Sequence, residues 1–190
     1  FKYSMNSKGY VTIFGFNGDM EKVVIPDMID GHTVTAIGNG AFMGCKDLVE
    51  VSMPDQISTM QGNAFSDCIS LKKIHLSNSI SKIVAKSFSG CIGLKDINIP
   101  DGVTEIKKST FSDSPLERLH IGKSLASIDS KLFYNGERDP RTHRQITTRA
   151  INKITVDPEN PYLTAVGSLV LSKDGKTLYA ALGNKRSISI

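Results

Sequence analysis

The chain has 190 residues, a net charge of +4, a pI near 8.9 and 39% apolar residues. No apolar run approaches the roughly 18 residues that would cross a bilayer. No basic run is interleaved with aromatics, so neither a membrane span nor nucleic-acid binding is expected.

The first 20 residues hold two strand-like runs, Phe1 to Met5 and Tyr10 to Phe16, separated by the turn-prone Asn6, Ser7, Lys8 and Gly9. A hairpin over 1–20 is expected, serving as the atypical unit that covers the open end of a repeat array. A strand at Val23 to Ile25 follows, closed by Pro26. Extra residues at Met28 to Thr33, a polar turn around Asp30 and Gly31, lengthen a loop before the next unit.

From Val34 one pattern recurs. Phe42, Phe65 and Phe88 are followed by Phe111 at steps of 23 residues, and Phe133 comes 22 further on. The copy from Ile80 to Gly102 places Ile80, Ile83, Phe88, Cys91, Leu94, Ile97 and Ile99 at its apolar positions, with Pro100 closing it. A unit this short cannot bury its apolar side alone, so copies must stack into a solenoid with one continuous core. Each Leu-x-x-Ile-x-Ile segment alternates as a short strand does, and successive strands are expected to pair in parallel about 4.8 Å apart. The Phe segments, such as Asn63 to Cys68, suit a helical turn on the opposite side, and the five phenylalanines an internal column. This is an α/β repeat architecture, with repeats over 21–133 in a single domain, 1–190, expected to be part of a longer protein.

Ile37 to Cys45 (IGNGAFMGC), Ile99 to Ile106 (IPDGVTEI) and Val166 to Leu178 (VGSLVLSKDGKTL) resemble the BspA-type leucine-rich repeat family of bacterial and protozoan surface proteins. The resemblance covers nearly the whole chain. It implies a right-handed leucine-rich repeat solenoid, an extracellular or cell-surface location, and a role in adhesion or protein binding. It carries over no catalytic residues. Ser114, where cysteine is expected, and a long insertion after Phe133 depart from the pattern.

That insertion, over 134–150, is polar and holds Arg138, Arg141, Arg144 and Arg149, four of the six arginines of the chain. Beyond it, 151–190 forms an irregular repeat: Ile154 and Val156 resume the strand, and Leu163 to Leu182 suggests a hairpin turning through Ser172 to Gly175. Ile188 and Ile190 have the spacing of one more strand, where self-association at an open edge is possible.

Cys45, Cys68 and Cys91 share one phase of the repeat, with no Cys-x-x-Cys pair and no histidine at ligand spacing. A column of small buried thiols is expected, with no metal and no cofactor. There is no Gly-x-Ser-x-Gly elbow, His-Glu-x-x-His or phosphate loop, and an enzyme is not expected.

The outward strand positions are the candidate binding residues. One row alternates in sign through Lys22, Glu50, Lys73, Asp96 and Arg118, and Lys153 breaks the alternation. The other holds His75, Asn98 and His120, the two histidines roughly 10 Å apart and too far for one metal ion to join. A charge ladder fixing strand register accounts for much of this pattern. With Arg138, Arg141 and Arg144 close by, positive potential is expected to gather at the later coils. The expected partner is a protein or acidic glycan of a host or neighbouring cell; the rival is a structural spacer, and a glycan-acting enzyme is a third reading.

Overall fold

The computed structural model describes residues 1–129, 131–132, 134–138, 145–147, 151–167 and 169–181. Within it the repeat period becomes a structural register. Six short strands, Lys22–Val24, Glu50–Ser52, Lys73–His75, Asp96–Ile99, Arg118–Ile121 and Lys153–Val156, lie one per coil and form a front face. Lys22 pairs with Glu50 and Glu50 with Lys73; Asp96 pairs with Arg118 and Arg118 with Lys153, all in parallel. Alternation decides what is buried: Val23, Val51, Ile97, Leu119 and Ile154 point inward, and their neighbours in sequence point to solvent.

A second face is built from Val11–Gly15, His32–Ile37 and Thr59–Met60, parallel to one another, and then from Lys82–Ile83 and Glu105–Ile106. Lys2–Met5 pairs antiparallel with Val11–Gly15, as the first expected hairpin requires. The extra residues after Pro26 close a tight hairpin, Met28–Ile29 against His32–Ile37, with Asp30 and Gly31 at φ of 49° and 78°.

The described residues contain no helix, and where a helical turn was expected opposite the strands each coil makes a turn. The cause is backbone conformation. Gly40, Asn63, Lys86 and Ser109 at one phase, and Gly44, Asp67, Gly90 and Asp113 at another, all have φ between 55° and 72°. Two left-handed residues bracketing each Phe interrupt a right-handed helix before it can complete a turn. Backbone bonds between coils alternate with single three-residue turns: Phe42 N–H donates to the Ala64 carbonyl at 2.8 Å, Phe65 to Ser87 at 2.9 Å and Phe88 to Thr110 at 3.0 Å, while Met43 N–H donates back to Gly40 and Cys45 to Phe42.

Phe42, Phe65, Phe88 and Phe111 are fully buried and stacked, with ring centroids 4.9, 5.8 and 5.7 Å apart. Phe16 continues the column at 5.4 Å from Phe42, and Phe1 lies against Phe16. Phe133 falls outside the described residues. Beside the column, the Cys68 thiol donates to the Phe42 carbonyl and the Cys91 thiol to the Phe65 carbonyl, each at 3.0 Å. Ser114 makes the same bond to Phe88, which explains how serine fits a cysteine position.

Past the repeats, Tyr134–Arg138 and Gln145–Thr147 pair antiparallel within the insertion. The hairpin expected over Leu163 to Leu182 has three strands, Leu163–Val166, Leu169–Ser172 and Leu178–Ala181, because Gly167 at φ 62° supplies an additional turn. Ile188 and Ile190, and with them the expected self-association edge, lie outside the described residues. Asn160, fully buried, ties this region to the stack: its amide donates to the Gly122 and Leu125 carbonyls and its oxygen accepts from the Tyr162 and Leu163 N–H groups.

Candidate interaction face

The front strands present two outward rows. The alternating charges of the first row do not form an unbroken ladder. Lys22 reaches Glu50 at 3.2 Å, and Arg118 clamps Asp96 with two nitrogens, one of them at 2.6 Å. Five alternating charges close into two pairs and leave one over. That one is Lys73, which has no acid within ion-pair distance among the described residues, and Lys153 has none either. The hydrogen bond to Asp96 and the carboxylate charge raise the pKa of the Arg118 guanidinium, and the paired carboxylate offsets its charge, so the pair adds little net positive potential. In the second row His75 and Asn98 are exposed, and His120 is half-buried with Nδ1 at 2.9 Å from the Thr155 hydroxyl. Thr155 joins this row in register opposite His120; the sequence reading passed over it, although its phase in the strand marks it.

Asp96, Asn98, Arg118, His120, Lys153 and Thr155 border a shallow depression of about 200 Å³ together with the strand residues between them. A larger cleft, about 630 Å³, opens between Lys73–His75 and Asp96–Asn98, lined by Lys72, Lys73, Lys95 and Asp96. Thus Lys73, Asp96, Asn98, Arg118, His120 and Lys153 border two adjoining hollows, and His75 lies on the strand along the larger one. The Arg138 side chain, Arg141 and Arg144 lie outside the described residues.

The larger cleft exists because the front face is two ladders. The strands up to Lys73–His75 form one and those from Asp96–Ile99 the other, with no pairing between them. Ile74 is accordingly half-buried where its counterparts in the other coils are buried. The second face divides at the same junction, between Thr59–Met60 and Lys82–Ile83. Gly93 begins the cleft: a Cβ there would meet the Leu71 carbonyl oxygen at 2.8 Å, so the backbones touch at that point before the strands part.

The two buried thiols, Cys68 and Cys91, offer no chemistry to a ligand. Burial raises the pKa of Cys68 and pushes that of Cys91 up to about 12, so both stay protonated and weakly nucleophilic. Among the described residues no three His, Cys, Asp or Glu side chains gather as a metal site needs, and no helix is long and apolar enough to cross a membrane.

Parallel strands one per coil, turns opposite, and an apolar ladder between them define a leucine-rich repeat protein. The chain belongs to the BspA type leucine rich repeat family, whose model matches residues 12–138 in six copies. No curated protein sequence matches it. Among solved structures, a leucine rich cell surface protein of Faecalibacterium prausnitzii is similar at 28% identity and a TM-score of 0.62, over 78% of this chain. The chain spans only 41% of that protein. The leucine-rich repeat protein TpLRR of T. pallidum is 26% identical, with a TM-score of 0.54 over 64% of this chain and 68% of that one. The pneumococcal vaccine antigen PcpA, at 20% identity and a TM-score of 0.60 over 91% of this chain and 52% of its own, shares the fold.

Proposed function

We propose that the chain is a non-catalytic binding module of a surface protein, which engages a protein or acidic glycan of a host or neighbouring cell through the front strand face. The observation that carries this reading is the face itself: two polar rows in register across the coils, bordering two hollows that no other element fills among the described residues. The similar F. prausnitzii protein is a cell surface protein, which supports an extracellular location. Carboxylates on the face are held in ion pairs, Glu50 with Lys22, Asp96 with Arg118 and Glu117 with Lys95, and this argues against a pair acting in hydrolysis. The solenoid is taken as right-handed, the sense in which parallel strands are almost always connected.

The test is capture by immobilised extracellular-matrix proteins and acidic glycans, at low and physiological salt. Wild type is expected to bind saturably. Changing Arg141 and Arg144 together to Glu is expected to weaken capture about tenfold while leaving the thermal midpoint unchanged, since each exposed charge contributes roughly 0.2–1 kcal/mol. No binding at either salt would leave the module as a spacer that projects other domains.

A further inference from the structure

At four junctions of the front face one carbonyl receives two successive N–H groups from the next coil. The Glu21 carbonyl accepts from Val49 and Glu50, Val49 from Lys72 and Lys73, Lys95 from Glu117 and Arg118, and Glu117 from Asn152 and Lys153, all between 2.7 and 3.1 Å. At the remaining junction the Lys72 carbonyl receives neither Lys95 nor Asp96. Two neighbouring N–H groups, aimed elsewhere at a single oxygen, therefore open onto the 630 Å³ cleft.

The surrounding charge is positive. Lys72, Lys73 and Lys95 line the cleft against one acid, Asp96, for a net of +2. Asp96 is turned to Arg118, Lys95 reaches Glu117 at 3.7 Å, and Lys72 and Lys73 have no acid in reach among the described residues. We infer that this cleft is a carboxylate-binding subsite, which takes an Asp or Glu side chain from an extended acidic segment of a partner protein. One carboxylate oxygen accepts the Lys95 and Asp96 N–H groups that do not reach the Lys72 carbonyl; the other faces the Lys72 and Lys73 ammonium groups. Hydrogen bonds to a charged acceptor are the stronger kind. The two flanking strands lie too close for a third strand between them, so the segment lies across the cleft and only its acidic side chain enters. Among the described residues no aromatic ring lines the cleft to stack a sugar, so a peptide is favoured over a glycan.

The inference rests on the reading of the chain as a protein-binding module, and its test is direct. The isotopically labelled chain is titrated at low salt with a blocked peptide of alternating Glu and Val, and with its Gln-for-Glu counterpart. The Lys95 and Asp96 amide resonances are expected to shift saturably with the Glu peptide and not with the Gln peptide. Changing Lys72 and Lys73 together to Gln is expected to weaken binding about tenfold, and changing the remote Lys46 and Lys108 to Gln to leave it unaltered. Equal weakening by both pairs, shifts confined to other amides, or a response to a hexuronate oligosaccharide but not to the peptide would each overturn the subsite. If a matrix protein is captured undiminished by the Lys72 and Lys73 change, the subsite fails and the binding module stands. If no matrix partner is found but the peptide titrates as described, the surface-adhesion reading fails while the subsite holds.

Discussion

The cysteine column shows how one residue's chemistry follows from its phase in the repeat. Cys68 and Cys91 are buried and each donates to a carbonyl of the preceding coil, whereas Cys45 is only partly covered. A thiol reagent is therefore expected to label Cys45 alone in the native protein, and Cys68 and Cys91 only on unfolding; rapid labelling of all three would contradict the packing. In the unfolded chain each thiol releases its proton near 9.0, but folded Cys91 keeps its proton up to about 12. Above about pH 9 the unfolded state binds fewer protons than the native state, so these thiols' contribution to stability, complete below that pH, falls as pH rises. Urea midpoints at about pH 8 and about pH 10 should fall less in a variant with Cys68 and Cys91 both changed to Ser than in wild type. Serine is the apt replacement because Ser114 already makes the equivalent bond.

At the scale of the element, the turn opposite the strands depends on left-handed residues that are not all glycine. Lys86 sits at φ 61° with an exposed side chain, a conformation that costs a non-glycine residue about 1–2 kcal/mol. Lys86→Gly relieves that cost and adds about 0.4–1 kcal/mol of unfolded-chain entropy, for an expected net gain of about 0.5–1 kcal/mol. Lys86→Val, β-branched, is expected to lose stability. Thermal unfolding of the two variants checks the order; a Val variant as stable as the Gly one would remove the left-handed turn from the account. The same turn marks where sequence reasoning stopped. The inward residues were legible because Phe, Cys, Leu and Ile recur in one phase, and so were the strands and the outward rows. The left-handed positions of the turn are not legible because Asn, Asp, Lys and Ser share them with Gly40, Gly44 and Gly90, hiding a backbone signal in ordinary polar residues. Asn160 was passed over for a related reason: nothing in its type shows that it will be buried with four bonds. The break beside Lys73 had no signature either, since Lys72, Lys95 and Asp96 all satisfy the repeat.

For the whole molecule that break sets the unit of cooperativity. A stack in which each coil touches only its neighbours is stabilised by its junctions, and its weakest junction is where it opens first. The junction between the coil ending near Ser79 and the one beginning at Ile80 lacks strand pairing on both faces. What crosses it is the turn ridge, with Asn63, Phe65 and Asp67 donating to Ala85, Ser87 and Ser89, together with the Cys91 thiol and the Phe65–Phe88 stack. Each absent backbone bond forgoes roughly 0.5–1.5 kcal/mol, so the deficit amounts to several kcal/mol relative to an intact junction. Native-state hydrogen exchange in rising denaturant should therefore resolve two groups of amides, one before and one after Ser79, whose opening free energies converge only at global unfolding. A single group spanning both sides would mean that the turn ridge and the buried column suffice to couple the halves. Because an acidic segment in the cleft would bridge the two ladders, the Glu peptide should slow exchange at Lys95 and Asp96 and draw the two groups together, coupling ligand binding to the rigidity of the stack.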